Sequence, residues 1–315
     1  MPLAISKTAA VEILRRVKLF GALSRTPHGI IDMSTPALAA LLCLGGFPPF
    51  TVILIGLITV FAGYTAVYAL NDVVDFHTDR EKAQMGAFEA PGDDLDAVLV
   101  RHPMAQGLLS YPEGMVWAMG WAAVAVIGAY ILNPVCVLIF VGAASLEVIY
   151  CLLLRVSYLR TLVSGVVKSA GAMAAVFAVD PTPPPAFLLA LFAWLFLWEI
   201  GGQNVPNDWT DLEADQQFGA RTVPVRFGPD RSIGIIAGCL TASVLISPLL
   251  FFLSPARFPT WIFVLVGAAG VVLLLYPAFR LVYQRTADGA MRLFNRASYY
   301  PLVLFAITVV GVIIA

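Results

Sequence analysis

The sequence predicts an all-α, polytopic membrane protein with nine transmembrane helices around a central cavity. Of its 315 residues, 60% are hydrophobic and 12% are charged, and the mean hydropathy is +0.86. Soluble domains carry about 25% charged residues, so this composition excludes a soluble fold. The apolar residues gather in stretches of membrane-spanning length that end at proline, glycine or asparagine. A net charge of −1 gives no general attraction to nucleic acid, and no nucleic-acid partner is expected.

The residues before the first apolar stretch predict a helix that lies on the membrane surface. The segment 11–20 alternates apolar residues with Arg15, Arg16 and Lys18, which is typical of a basic amphipathic helix. The first 28 residues lack the continuous apolar core of a signal peptide. We therefore predict a cytoplasmic amphipathic segment over 1–29 and one transmembrane domain over 30–315.

Nine stretches are long and apolar enough to cross a bilayer, which takes about 20 residues. Polar residues weaken the first stretch at Asp32 and the sixth at Glu199. The predicted spans are 30–47, 50–70, 115–132, 134–154, 162–179, 186–204, 233–253, 261–283 and 299–315. The longest loop, 80–114, is too short for a domain and long enough for a lid.

The positive residues predict the orientation of the chain, because Lys and Arg favour cytoplasmic loops. Seventeen of the 19 precede the first span or lie in loops after even-numbered spans. Arg257 lies alone in a loop on the other side, and Lys168 lies inside the fifth span. This distribution predicts that the N-terminus and the loops after spans two and six face the cytoplasm.

A nine-residue pattern, N-D-x-x-D-x-x-x-D, occurs twice, at 71–79 and 207–215. On a continuous helix its three aspartates share one face, where they repel each other unless a cation lies among them. Mg²⁺ is commonly held by carboxylates together with substrate phosphates. The pattern therefore predicts a metal-bridged phosphate or diphosphate site. Its residues are Asn71, Asp72, Asp75 and Asp79 in the first copy and Asn207, Asp208, Asp211 and Asp215 in the second.

The two copies end spans two and six, so both spans run in the same direction. This placement predicts a parallel internal repeat whose two aspartate trios face each other across a shared cavity.

Four cations are candidates for binding the phosphate. Lys168 lies deep in an apolar span, where a charge indicates function unless it pairs with another residue, such as Glu147. Arg155, Arg160 and Arg221 lie in loops, where each is a candidate phosphate contact or a charge that only sets topology.

Two groups of residues are candidates for the cavity wall. Phe61 and Tyr68 lie above Asp72, where aromatic rings suit a lipid tail or a developing carbocation. Glu199, Gln203 and Asn204 lie at membrane depth in the sixth span and are candidates for reading an acceptor. Packing between helices is the competing interpretation for both groups. The three histidines lack zinc-ligand spacing, and no metal role is predicted for His77.

These motifs resemble those of the UbiA superfamily of intramembrane prenyltransferases. The first copy resembles that family's first Asp-rich motif, and 101–110 resembles the R-P-I-x-x-G-x-x-S segment that follows it. The second copy, continued through Gly219, Thr222, Pro224 and Gly228, resembles the second motif and its tail. This chain departs from the family where His102 interrupts the Arg-Pro pair, where the stretch before Arg101 is long, and where Tyr150 and Arg155 are differently spaced.

The resemblance implies a UbiA-like fold and Mg²⁺-dependent transfer of a prenyl group from a prenyl diphosphate to an aromatic or lipid acceptor in the membrane. It implies that all six aspartates bind metal and diphosphate, with Asn71 and Asn207 in support and Asp72, Asp75, Asp208 and Asp211 central to catalysis. Lys168 resembles a basic residue that contacts diphosphate. The alternatives are a terpene cyclase on the same scaffold, a cation transporter and a membrane scaffold without activity.

Overall fold

The computed structural model describes residues 7–84 and 94–314, and this part of the chain is helical with no strand. Apolar periodicity and bilayer-spanning length favour helices throughout. The helices are α1 (Lys7–Leu23), α2 (Thr26–Asp32), α3 (Ser34–Leu44), α4 (Phe50–Val74), α5 (Phe76–Gln84), α6 (Tyr111–Leu132), α7 (Pro134–Leu152), α8 (Arg160–Val179), α9 (Pro185–Trp198), α10 (Val205–Thr210), α11 (Leu212–Phe218), α12 (Val223–Leu253), α13 (Thr260–Gly270), α14 (Tyr276–Gln284), α15 (Ala287–Ser298) and α16 (Tyr300–Ile314).

The described residues contain nine helical segments that are long and apolar enough to cross a membrane, which confirms the predicted number. These segments are Thr26–Leu44, Phe50–Val74, Tyr111–Leu132, Pro134–Leu152, Arg160–Val179, Pro185–Thr210, Val223–Leu253, Thr260–Gln284 and Ala287–Ile314. The first begins at Thr26, earlier than the predicted span 30–47. The ninth begins earlier than predicted because α15 is amphipathic and buries Leu293 and Phe294 against the bundle.

Helix α1 is amphipathic, as predicted, and is tied to the bundle on one side. Leu19 and Leu23 are buried, whereas Val11 and Val17 are exposed. The guanidinium of Arg16 contacts the carboxylate of Glu113 at the start of α6. The exposed apolar face is that of a helix suited to a membrane surface.

Both Asp-rich motifs contain a helix break at the middle aspartate, so the prediction that each trio lies on one continuous helix is wrong. Asp75 separates α4 from α5 with φ −83° and ψ 5°, and Asp211 separates α10 from α11 with φ −97° and ψ 11°. These angles belong to the sparsely populated bridge region. Aspartate is favoured at helix boundaries over helix interiors. The two motifs therefore repeat a local backbone conformation as well as a sequence.

The sixth span changes its winding just before the second motif. Residues Glu199–Asn204 form a π-helical turn between α9 and α10, a feature often found at functional sites. Its Gln203 amide donates to the backbone oxygen of Phe294 and accepts from Ser298. Gly201 lies so close to α12 that an added Cβ would be 3.0 Å from the carbonyl oxygen of Ile236. The turn is therefore fixed in place by close packing.

The loop before α6 is held over the motif end of the bundle by its own hydrogen bonds. The side chain of Gln106 donates to the carbonyl oxygen of Arg101 at 2.6 Å, and Ser110 and Glu113 cap α6. Residues 85–93 of the predicted lid lie outside the described residues.

We expect the motif end of the bundle to face the cytoplasm. Gln106 is exposed in the loop before α6, and Arg257 is exposed in the loop after α12 at the other end. A membrane-impermeant thiol reagent added to intact cells should label Arg257→Cys and leave Gln106→Cys unlabelled until the cells are opened. Unmodified protein is the control for the native cysteines. Labelling of Gln106→Cys in intact cells would contradict the predicted orientation.

Candidate active site

A cavity of about 560 Å³ runs along α4 and is lined by both Asp-rich motifs. Its wall follows α4 from Val52 to Asp72, a rise of about 30 Å that matches the hydrocarbon thickness of a bilayer. The far end is apolar and includes Phe47 and Pro48. At the motif end, all six aspartates lie on the wall together with Asn71 and Asn207. The two trios therefore share one polar chamber that opens into an apolar channel.

Each aspartate of the second motif pairs with a cation from another part of the chain. The cations come from α5, from the loop before α6 and from the start of α8, so they join both halves of the bundle. The pairs are Lys82 Nζ–Asp215 Oδ1 at 2.8 Å, Arg101 Nη2–Asp211 Oδ2 at 2.7 Å and Arg160 Nη1–Asp208 Oδ1 at 3.7 Å.

The first motif gathers two of its aspartates around a histidine. The Nδ1 atom of His102 lies 3.1 Å from Asp72 Oδ1 and 3.0 Å from Asp79 Oδ2. Arg25 approaches the same motif and donates to Asn71 Oδ1 at 3.0 Å, with its Nη2 atom 3.5 Å from Asp72 Oδ1. Each carboxylate in this group therefore has a positive or hydrogen-bonding neighbour.

Burial and charge act against each other on the pKa values at the motif end. Burial lowers the pKa of His102, but the carboxylates of Asp79 and Asp72 outweigh it and raise that pKa to about 10. Burial raises the pKa of Asp79, yet His102 and Lys82 together hold it below its usual value. For Asp75 and Asp215 burial dominates and raises the pKa, with neighbouring aspartates adding to the effect. Protein cations therefore compensate the charges of Asp75 and Asp215 less completely than the charge of Asp79.

The chain matches one protein family over most of its length. The sequence profile of the UbiA prenyltransferase family matches residues 33–306. The chain belongs to the UbiA prenyltransferase family. It is a prenyltransferase enzyme and an integral, multi-pass membrane protein.

The chain is similar to prenyltransferases with different names. The chain is 23% identical over 288 residues to a 4-hydroxybenzoate octaprenyltransferase of Actinobacillus pleuropneumoniae, covering 91% of each chain. It is 24% identical over 246 residues to a digeranylgeranylglyceryl phosphate synthase of Thermococcus sibiricus, covering 77% of this chain and 81% of the relative.

Solved UbiA structures share the fold. A UbiA homologue from Archaeoglobus fulgidus, bound to DMAPP and Mg²⁺, superimposes with a TM-score of 0.68 at 16% identity and covers 92% of this chain and 99% of its own. A UbiA homologue from Aeropyrum pernix superimposes with a TM-score of 0.69 at 17% identity, covering 90% and 97%.

The donor atoms of this UbiA member fit a divalent cation. The Asp208 Oδ2 and Asn207 Oδ1 atoms are buried and have no hydrogen-bond partner among residues 7–84 and 94–314. Buried polar atoms without partners are costly, and a bound cation would satisfy them. Carboxylate and amide oxygens are the ligands that Mg²⁺ prefers.

A second polar cluster lies deeper in the membrane around Lys168. Its Nζ atom lies 2.6 Å from Asp32 Oδ2, and Tyr68 donates to the same oxygen at 2.5 Å. The expected alternative partner, Glu147, instead accepts from the Asn71 amide at 2.8 Å. In the sequence, Asp32 stands out only as a residue that weakens the first span. Lys168 lines the cavity, but in this structure its charge is compensated by Asp32.

The structure places most of the predicted wall residues at the cavity and one of them away from it. Tyr68, Glu199, Gln203 and Asn204 line the cavity. Phe61 does not appear on its described wall, since its ring packs edge-on against Trp121 at 5.4 Å between centroids. Less than one turn of helix separates Phe61 from Tyr64, which does line the cavity.

Two predicted phosphate contacts lie apart from the described cavity wall. Arg155 pairs with Glu81 at 2.7 Å and covers the ring of Phe218. Arg221 is exposed and donates to the carbonyl oxygen of Val156 at 3.1 Å. In this structure both arginines hold loops rather than face the chamber.

The structure brings several further cations to the chamber, and three of them have no predicted site role. Arg25, Lys82 and Arg101 are among the positive residues that the sequence uses only to predict orientation, and Arg101 also begins the segment that resembles the family. Arg160 is, like Arg155 and Arg221, a loop arginine for which the sequence leaves a phosphate contact open. The signal that could have found them is charge balance, because six clustered aspartates require cations from somewhere.

We expect Lys168 and Asp32 to stabilise the fold as a pair. Lys168→Met leaves Asp32 charged and buried, which should cost about 3–5 kcal/mol of unfolding free energy. Adding Asp32→Asn to Lys168→Met should recover a large part of that loss in thermal unfolding of the purified protein. Lys168→Met combined with Glu147→Gln is the matched control and should recover none. Unchanged thermal stability of Lys168→Met would contradict the pairing.

Proposed function

We propose that this UbiA member transfers a prenyl group from a prenyl diphosphate to an aromatic or lipid acceptor inside the membrane, with Mg²⁺ held by both aspartate trios. The observation that carries this proposal is the single chamber lined by six aspartates and continued by an apolar channel along α4. The chamber suits a metal diphosphate, and the channel suits a hydrocarbon tail. Structural relatives bound to DMAPP and GPP with Mg²⁺ support the same substrate class.

The aspartates and the asparagines of the motifs would hold the metal. When bound, the divalent metal supplies positive charge to the diphosphate oxygens and stabilises the leaving group. Lys82, Arg101 and Arg160 lie beside the second trio and are placed to share that charge. Their pairing with aspartates fixes their positions before substrate arrives, which reduces the reorganisation needed in the transition state.

The reaction proceeds in two bond changes. The bond between C1 of the prenyl group and the diphosphate oxygen breaks, and its electron pair leaves with the diphosphate. An electron-rich atom of the acceptor then forms a bond to C1, and the acceptor loses a proton. The rings of Tyr64 and Tyr68 face the cavity one turn apart and present π-electrons to a developing allylic cation.

The acceptor class is tested by the mass of the product. Purified protein is incubated with isotopically labelled prenyl diphosphates of different length, with and without a panel of phenolic and lipid acceptors. We expect a product that equals acceptor plus prenyl group minus one hydrogen, formed only when acceptor is present. A terpene hydrocarbon formed without acceptor would instead indicate a cyclase. Ion flux in proteoliposomes without diphosphate release would indicate a transporter and contradict the proposal.

We expect both trios to be required for turnover. Asp72→Asn or Asp208→Asn should each lower the rate by about 10²-fold or more, because the leaving group loses part of its stabilisation. EDTA should abolish the activity, and added Mg²⁺ should restore it. Asp230→Asn, which removes an exposed carboxylate paired with Arg285, is the matched control and should retain full activity. Full activity of either motif variant would contradict a metal site shared by both trios.

A further inference from the structure

His102 occupies a position that the sequence pattern does not assign to a metal. It stands between Arg101 and Pro103, where the resembling family segment has arginine followed directly by proline. The structure brings its ring to the first Asp-rich motif, and single donor atoms of Asp72, Asp79 and His102 all lie within 4.8 Å of one another. Among the described residues, this is the group of acidic and histidine side chains that has the spacing of a metal site.

The contacts converge on one ring nitrogen. Asp72 Oδ1 and Asp79 Oδ2 lie 3.1 Å and 3.0 Å from the same Nδ1 atom. One N–H bond points at one acceptor, yet two carboxylate oxygens lie within about 3 Å of this single nitrogen. Neighbouring ligands of an octahedral cation at about 2.1 Å lie about 3.0 Å apart, as its right-angle geometry requires. The ring nitrogen already has the spacing of a neighbouring ligand to each of the two carboxylate oxygens.

The backbone holds His102 in this position. Its φ angle is +48°, in the left-handed region that residues other than glycine seldom adopt. It also precedes a proline, which favours extended conformations. The conformation is supported by hydrogen bonds from Gln106 to the backbone oxygens of Arg101 and His102. Strained residues of this kind cluster at functional sites.

We propose that His102 is a nitrogen ligand of the divalent metal bound at the first Asp-rich motif. This inference rests on the proposed function, since it concerns the metal that holds the diphosphate. An imidazole beside two carboxylates favours Mn²⁺, Fe²⁺ or Co²⁺ over Mg²⁺ more than an all-oxygen site does. The first motif is therefore a mixed oxygen and nitrogen site, and the second motif, with oxygen donors, remains the better site for Mg²⁺.

The test uses Mn²⁺ and the whole protein in detergent micelles, with and without inorganic pyrophosphate. Pulsed electron paramagnetic resonance detects the ¹⁴N nucleus of a histidine that is bound to Mn²⁺. His102→Asn is the informative variant, because asparagine tolerates the left-handed backbone and offers oxygen in place of ring nitrogen. His77→Asn is the matched control, since His77 is an exposed histidine of the same motif.

We expect a histidine ¹⁴N signal in the unmodified protein and in His77→Asn, and its loss in His102→Asn. The preference of the first site for Mn²⁺ over Mg²⁺ should fall by about tenfold or more in His102→Asn, the scale seen when the ligand environment of a metal is disturbed. Asp79→Asn should abolish Mn²⁺ binding at this site. A normal Mg²⁺ affinity of His102→Asn shows that this variant is folded.

Two results would overturn the assignment. In the first, Mn²⁺ binds in an Asp79-dependent manner but gives no ¹⁴N signal. His102 would then only neutralise the carboxylates and be displaced by the metal. The proposed prenyl transfer would remain intact. No Asp79-dependent binding of Mn²⁺ or Mg²⁺, even with pyrophosphate, would remove the metal site itself and the proposed function with it.

Discussion

Six aspartates at one end of a membrane cavity impose the constraint on which the rest of the site depends. Charges taken out of water need partners at short range, and a carboxylate left alone would lose its charge or destabilise the fold. The protein meets this need with cations from distant elements, as when Lys82 of α5 reaches Asp215 of the second motif. These pairs join the two halves of the bundle across the chamber. The aspartates and cations that compensate each other in the fold are also the groups that a diphosphate and its metal would contact.

The fold delivers these groups through local breaks rather than through regular helices. Asp75 and Asp211 stand at helix boundaries in the same backbone conformation, and a π-helical turn precedes the second motif. The loop before α6 places Arg101 against one motif and His102 against the other. Irregular backbone at membrane depth is tolerated where it lines a cavity. The chamber is thus assembled where helical order is interrupted, while the apolar channel along α4 depends on an unbroken helix.

The sequence was sufficient for the architecture and for the acidic half of the site. Membrane spans follow from length and hydropathy, and the repeated motif identifies six aspartates without any structure. The cations that compensate the aspartates could not be predicted in this way, because the local sequence around a loop cation does not identify its partner. Arg155 and Arg101 look alike in the sequence, yet the first covers Phe218 and the second pairs with Asp211. Phe61 and Tyr64 differ by less than one turn, and only the packing of α4 decides which ring faces the cavity. The free-energy cost of a charge inside the membrane singles out Lys168 in the sequence, but its partner, Asp32, lies 136 residues away.

The central claim is that both aspartate trios hold one diphosphate through divalent metal in a shared chamber. The most direct measurement is a crystal structure of the protein with Mn²⁺ and a non-reactive prenyl thiodiphosphate, in which anomalous scattering locates the metal. The account predicts Mn²⁺ peaks within coordination distance of carboxylate oxygens from both motifs, a single diphosphate between them, and the prenyl chain along α4. Metal confined to one motif, or a diphosphate bound outside the chamber, would contradict it.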